Sequence, residues 1–175
     1  MEIRTSRLIL RSARPDDLDA IHAVLSDPRA TRWWSSLPHE TLDQTRAWLD
    51  AMIANGPEHP DYVVELDGHV IGKAGFYVLP DVGYILHPDC WGQGLASEAV
   101  GAAIDHVFRN RDLETLSADV DPENAASIRL LERLGFVRTG SAERTWNIGG
   151  AWKDSVYYAL SRTDRAAVTG GQAPA

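Results

Sequence analysis

A short apolar stretch, Val82 to Leu86, is followed by Cys90-Trp91-Gly92-Gln93-Gly94-Leu95-Ala96-Ser97-Glu98-Ala99-Val100, a glycine-rich turn that runs directly into an amphipathic helix. A junction of this kind binds anions. Glycines let the backbone approach a phosphate without side-chain obstruction, and the first free N–H groups of the helix bring the positive end of its dipole to the same point. Trp91, Gly92, Gln93, Gly94, Leu95, Ala96 and Ser97 are therefore candidate phosphate-binding residues. Downstream, Asn124-Ala125-Ala126-Ser127 opens a second helix that ends at Leu134-Gly135-Phe136. Asn124 and Ser127 serve either a ligand or the capping of that helix, since both residue types are favoured in a first turn.

Two other anion motifs fit the loop poorly. A nucleotide-hydrolysing P-loop places Lys and Ser or Thr after its last glycine to hold phosphates and magnesium; Leu95 and Ala96 stand there. A dinucleotide fingerprint comes closer, with Asp119 or Asp121 near the place of a ribose-binding acid, but Ser97 replaces its third glycine. It also requires repeated strand-helix-strand units, whereas a hairpin precedes this loop and another closes the chain. Cys90 reads as a small buried residue, because no histidine is arranged with it in a nucleophile motif. The six histidines show no metal-ligand spacing, so no metal is expected.

The elements that position these residues follow from periodicity. Leu8 and Leu10 alternate with polar neighbours as in a half-buried strand. Pro15-Asp16-Asp17 starts a helix with Leu18, Ile21, Val24 and Leu25 on one stripe, and Asp27-Pro28 stops it. Thr41-Leu42-Asp43-Gln44 is a capping box for a second helix carrying Trp48, Leu49 and Met52, ended by Asn55-Gly56-Pro57. Tyr62 to Leu66 and His69 to Leu79 flank Asp67-Gly68, a hairpin signal. A helix over Leu95 to Phe108, a strand over Leu113 to Val120 able to lie parallel to the earlier one, and a helix over Asn124 to Leu134 follow. Trp146 to Ile148 and Trp152 to Leu160 form a closing hairpin around Gly149-Gly150. The order predicts an α/β (α+β) mixed sheet with helices on its faces, one domain over 1–163 and a frayed tail over 164–175.

The chain has 175 residues, 44% hydrophobic and 24% charged, with a formal charge of −8. That acidity argues against nucleic acid as a partner. It suits a basic or amine-bearing partner, or simply keeps the protein in solution. No apolar run reaches the ~18–20 residues of a membrane span, and the arginines interleaved through Ile3 to Arg14 make no secretory signal, so a cytoplasmic location is expected. Cys90 alone gives no internal disulfide.

Taken together, the glycine loop, Asn124-x-x-Ser127 and Leu134-Gly135-Phe136 resemble the GCN5-related N-acetyltransferases (GNAT), and within them the branch that acetylates ribosomal-protein N-termini, over roughly Arg7 to Leu160. The family loop is Q/R-x-x-G-x-G/A; Trp91-Gly92-Gln93-Gly94-Leu95-Ala96 matches it except at Trp91. The resemblance implies a GNAT fold, a mostly antiparallel sheet of about six to seven strands flanked by about four helices. It implies acetyl-CoA as donor and direct transfer to a primary amine, on a protein N-terminus or on a small molecule or antibiotic. A non-catalytic acyl-CoA-binding module is the alternative.

The resemblance also implies roles. An amine must lose a proton to attack, and Asp81 in Asp81-Val82-Gly83-Tyr84 occupies the place of the family's base, although after Pro80 it reads equally as a turn residue. Backbone N–H groups of Ile85, Leu86 or His87 would face the attacked carbonyl, with Gly83 marking a bulge, a splay or a packing gap. Ser127 would give a proton to the leaving thiolate, with Tyr157 and Tyr158 in reserve, and Asn124 would hold the pantetheine arm. Trp33, Trp34 and the loop to His39 line an acceptor pocket or pack in the core. Exposed edge strands make a homodimer possible.

Overall fold

The computed structural model describes residues 2–56 and 58–170, so Pro57 and the last part of the expected tail, 171–175, lie outside the described residues. Its strands are β1 (Glu2–Arg4), β2 (Leu8–Arg11), β3 (Asp61–Leu66), β4 (His69–Val78), β5 (Asp81–Leu86), β6 (Thr115–Val120), β7 (Val137–Ile148) and β8 (Ala151–Ser161). Its helices are α1 (Leu18–Leu25), α2 (Leu42–Ala54), α3 (Leu95–Asn110), α4 (Ala125–Arg133) and α5 (Arg162–Gly170). All eight strands join one sheet in the order β1-β2-β3-β4-β5-β6-β8-β7. Every neighbouring pair is antiparallel except β5 and β6. Among the described residues no helix is long and apolar enough to cross a membrane.

Local chemistry sets the start of the helices. Thr41 Oγ1 accepts from the Gln44 N–H at 3.3 Å and Gln44 Oε1 accepts from the Thr41 N–H at 3.1 Å, closing the expected capping box of α2. Before α1, the buried Asp17 carboxylate takes two bonds from the Arg11 guanidinium, at 2.7 and 2.9 Å, and one from the Arg14 N–H at 2.7 Å.

The alternation of the strands sorts the core onto two faces. Tyr62 and Val64 of β3, Leu86 of β5 and Leu116 of β6 pack with Ile104 and Val107 of α3 and Leu131 of α4. Val63 and Ile85, one residue out of phase, pack on the other face against Ile21, Val24 and Leu25 of α1 and against Leu49 and Met52 of α2.

Three expectations are refined. The sheet has eight strands, close to the expected six to seven, because the short edge strand β1 also pairs with β2 through Ile3 and Leu10. The second strand of the closing hairpin behaves as expected, but β7 begins at Val137; register shifts after Arg138 and Ala142 break the alternation that would have marked it. Residues 164–170 of the expected frayed tail belong to α5, a fifth helix. A polar anchor docks it: Arg165 is 8% exposed and its guanidinium bonds Asp105 of α3 at 2.7 and 3.1 Å.

Candidate active site

The parallel pair β5 and β6 meets at one register position, Asp81 opposite Ser117, where the Ser117 N–H also donates to the Pro80 carbonyl at 3.0 Å. Beyond it the strands diverge. A cleft of about 1500 Å³ opens there, lined by both strands, by the glycine loop and by α4. The phase of the β4–β5 ladder decides which backbone groups face it. The His87 N–H donates to the Ile71 carbonyl at 2.8 Å, and the register continues as Leu86 opposite Gly72, Ile85 opposite Lys73 and Tyr84 opposite Ala74. In an antiparallel ladder hydrogen-bonded and non-bonded pairs alternate. Ile85 therefore bonds β4 as His87 does, while the amides of Tyr84 and Leu86 turn toward the cleft. Of the three expected backbone donors, Leu86 alone faces it, and Tyr84 is an additional one. Sequence reasoning missed that distinction because pairing phase leaves no mark on residue type. The Leu86 carbonyl, on the same edge, accepts the Trp91 indole N–H at 2.9 Å, so Trp91 closes off the splayed end.

The glycine loop lies at the end of this cleft. Gly92 and Gly94 have φ of 73° and 77°, a left-handed backbone that side chains resist, and Gly94 is the N-cap of α3. A Cβ on Gly92 would meet nothing within 4 Å, and on Gly94 only the Arg7 guanidinium at 3.6 Å. The glycines therefore serve the backbone path and the approach of a ligand, not packing. Helix geometry leaves the N–H groups of Leu95, Ala96 and Ser97 without an upstream carbonyl; the Glu98 N–H is the first to find one, on Gly94 at 3.1 Å. These amides, with Arg133 reaching Ser97 Oγ at 3.3 Å, fit a pyrophosphate.

The loop is braced by a residue that the motif reading passed over. Glu98, in the first turn of α3, accepts from Thr5 Oγ1 at 2.6 Å, Ser6 Oγ at 2.9 Å, the Arg7 N–H at 3.0 Å and Arg7 Nε at 2.7 Å. Arg7 in turn donates to the Gln93 carbonyl at 2.9 Å. Burial opposes ionisation of Glu98, but the hydrogen bonds from Thr5, Arg7 and Ser6 outweigh it and hold the carboxyl down at about 2. No local pattern connects residues so far apart in the chain.

The two faces of β5 give the cleft two kinds of chemistry. On the α3 and α4 face, Tyr84 Oη lies 2.7 Å from Ser127 Oγ. Burial pushes the Tyr84 phenol up to about 12, so it is neutral. Asn124 Oδ1 accepts the Ser127 N–H at 3.2 Å and thereby caps α4; Asn124 also lines the cleft. On the opposite face Asp81 and Gly83 stand beside Ser117 and Asp119 of β6. The Ser117 hydroxyl donates to the Asp81 carboxylate in a short hydrogen bond. Asp119 accepts the Trp146 indole N–H at 2.9 Å. Ser127 and Asp81 are thus not in contact; they reach the cleft from opposite sides of the sheet. Both reserve tyrosines line the cleft: Tyr157 opposite Asp119, and buried Tyr158, whose hydroxyl donates to Glu132 at 3.3 Å.

On the Asp81 face of the sheet the cleft is walled by Trp33, Trp34, Trp48 and Trp146. Lys153 Nζ lies 5.5 Å from the Trp33 ring. The buried Lys73 Nζ lies 5.8 Å from the Trp34 ring and 2.6 Å from Asp61. Leu37 reaches the β7–β8 turn, where a Cβ on Gly149 would come within 2.9 Å of it. Trp33 and Trp34 line the cleft, and Trp34 also packs against the α1–α2 core. Cys90 lies near the loop, its thiol pushed up by burial and by Asp89, the reverse of an activated nucleophile. Among the described residues no group of His, Cys, Asp or Glu is placed to hold a metal.

Comparison with known proteins gives a consistent picture. Residues 7–137 match the model of the acetyltransferase (GNAT) domain. An uncharacterized N-acetyltransferase p20 of Bacillus licheniformis is 33% identical over 146 residues, 78% of this chain and 82% of that protein. The spermidine N(1)-acetyltransferase of Escherichia coli K12 is 28% identical over 156 residues, 84% of this chain and 82% of that one. A Salmonella typhimurium acetyltransferase described as modifying the N-terminal serine of ribosomal protein L7/L12 superposes with a TM-score of 0.79 at 20% identity, covering 92% of this chain and 99% of that one. With an amide cradle at the head of α3 and a splayed parallel pair leading to it, the chain belongs to the GNAT family and is an acetyl-CoA-dependent N-acetyltransferase.

Proposed function

We propose that the chain acetylates the N-terminal amine of a protein or peptide, as a member of the branch that modifies ribosomal-protein N-termini. The observation that carries this reading is the Asp81 carboxylate, fixed by Ser117 where the cleft begins, on the face walled by Trp33 and Trp146. An α-amino group has a pKa near ~8 and a lysine near ~10.4, so one carboxylate suffices more readily for the N-terminal amine. The α3 amides and Arg133 hold the pyrophosphate, and Asn124 the pantetheine arm. When bound, acetyl-CoA supplies the activated acetyl group. Asp81 takes the proton that the amine loses, the Leu86 and Tyr84 amides face the carbonyl oxygen, and Ser127 faces the sulfur from the other side of the sheet.

A small amine is the second reading. Ser117, Asp119 and Asp121 alternate along one face of β6 and its end, giving carboxylates spaced to meet a cation, and one relative is a spermidine acetyltransferase. Thiol release from acetyl-CoA is the test, with three acceptors: a peptide with a free N-terminal serine, the same peptide blocked at its N-terminus but carrying lysine, and spermidine. Release with the first alone supports the proposal; release with spermidine alone replaces it with the second reading. Binding of acetyl-CoA without release for any acceptor favours a non-catalytic module.

A further inference from the structure

We propose that Tyr84 is a positioning residue for Ser127: its phenol donates a hydrogen bond to the serine oxygen and so turns the serine O–H toward the leaving sulfur. This rests on the acetyl transfer proposed above and adds a residue to it.

The two oxygens are 2.7 Å apart, so one proton lies between them and the other points elsewhere. If Ser127 donated to Tyr84, the phenolic O–H would have to find another acceptor on the α3 and α4 face. Tyr84 is partly buried, packed against the larger apolar core at one wall of the cleft, and Ser127 is its hydroxyl's hydrogen-bond partner among the described residues. A buried donor left without an acceptor costs about 1–3 kcal/mol. If Tyr84 donates, the serine hydrogen is released to the cleft that Ser127 lines. The phenol stays a donor because burial holds it neutral.

Ser127 itself is fixed from behind. It sits in the first turn of α4 with its N–H on Asn124 Oδ1, and its hydroxyl has no capping duty. Backbone and hydroxyl are therefore held by different partners, Asn124 and Tyr84. As the C–S bond breaks, its electron pair stays on sulfur and the Ser127 proton passes to it. The serine oxygen then takes a proton back from water, to which Asp81 passes the one the amine lost as its new C–N bond formed.

A double-mutant cycle tests this role. Tyr84→Phe keeps the ring and its packing while removing the donor. Steady-state thiol release is measured for the unmutated chain, Tyr84→Phe, Ser127→Ala and the double variant, with the serine peptide or spermidine as acceptor. Acetyl-CoA affinity is measured by calorimetry alongside. Ser127→Ala is expected to lower kcat roughly 100-fold, and Tyr84→Phe roughly 10-fold with the KM for acetyl-CoA within about twofold. In the Ser127→Ala background Tyr84→Phe is expected to have no further effect. An equal loss in both backgrounds, or an unchanged kcat for either single variant, overturns the role. Absence of thiol release by the unmutated chain with both acceptors overturns the transfer reading together with it, a result distinguishable from a working enzyme that is indifferent to Tyr84.

Discussion

Asp81 and Ser117 form, among the described residues, the one register pair between β5 and β6, and the serine hydroxyl donates to the aspartate carboxylate there. The contact that ends the splay also fixes the candidate base. Because the strands part immediately beyond it, the carboxylate stands at the apex of the wedge, on the face opposite Ser127, with Gly83 next along the same side of β5. An amine approaching from this face and a sulfur leaving toward the other need not share space.

Replacing Asp81 by Asn keeps an oxygen for the Ser117 hydroxyl and removes the base. At pH 7 kcat is expected to fall roughly 100-fold, with acetyl-CoA affinity unchanged because the loop is untouched. With an N-terminal amine as acceptor the deficit should narrow above about pH 8, where the amine deprotonates without help. A pH–rate profile of both proteins checks this. Equal rates at pH 7 would remove Asp81 from the chemistry.

The loop was legible because its constraint is local. Gly92 and Gly94 must adopt positive φ, and that demand selects a residue type the sequence displays. The capping box at Thr41 and Gln44 was legible for the same reason. Pairing phase was not: Ile85, Leu86 and His87 differ in nothing that reveals which amide faces β4. Nor was the docking of α5, since Arg165 on an otherwise small and polar segment signals nothing until Asp105 is beside it. Tyr84 and Glu98 were hidden alike, as their partners Ser127 and Thr5 lie 43 and 93 residues away. Long-range polar contacts have no period.

Gly83 differs from the loop glycines. Its φ lies outside the left-handed region and a Cβ there would meet nothing within 4 Å, so neither backbone nor packing requires glycine. It stands between Asp81 and Ile85 facing the cleft, on the side proposed above for the acceptor. Gly83→Ala is expected to raise stability by about 0.5–1 kcal/mol, as for glycine replaced inside a strand, yet to lower turnover. The KM for a bulky peptide acceptor should rise more than that for spermidine, with acetyl-CoA affinity held. Thermal melts and acceptor titrations check the pair; a rise in stability with no change in acceptor kinetics would leave Gly83 without a role.

Gly94 carries two demands at once. With φ of 77° an alanine there costs about 1–2 kcal/mol, and its methyl stands at the N-terminus of α3 where the phosphates approach. Gly94→Ala is expected to lower the melting temperature by roughly 2–8 °C and to weaken acetyl-CoA binding by more than that loss explains, since the protein stays folded at 25 °C. Calorimetry at that temperature separates the two effects. Affinity equal to that of the unmutated chain would place the pyrophosphate elsewhere.

Glu98 links loop geometry to pH. Its carboxyl titrates at about 2 in the folded protein against an ordinary 4.5, since the hydrogen bonds from Thr5, Arg7 and Ser6 outweigh its burial. A depressed acid contributes stability that is fully present above its unfolded value and is lost as pH falls through the folded one. Glu98→Gln keeps the shape and abolishes the charge, forfeiting about 1.5–3 kcal/mol for hydrogen bonds to an ionised group, or roughly 3–12 °C in melting temperature. That difference should be constant from pH 7 to about 4.5 and shrink between 4.5 and 2. Because Arg7 joins Glu98 to the Gln93 carbonyl, the variant should also bind acetyl-CoA more weakly at pH 7. Melts across this pH range test the electrostatic part and calorimetry the loop. A difference in melting temperature that ignores pH would make the brace one of shape alone, and unchanged affinity would uncouple it from the phosphate cradle.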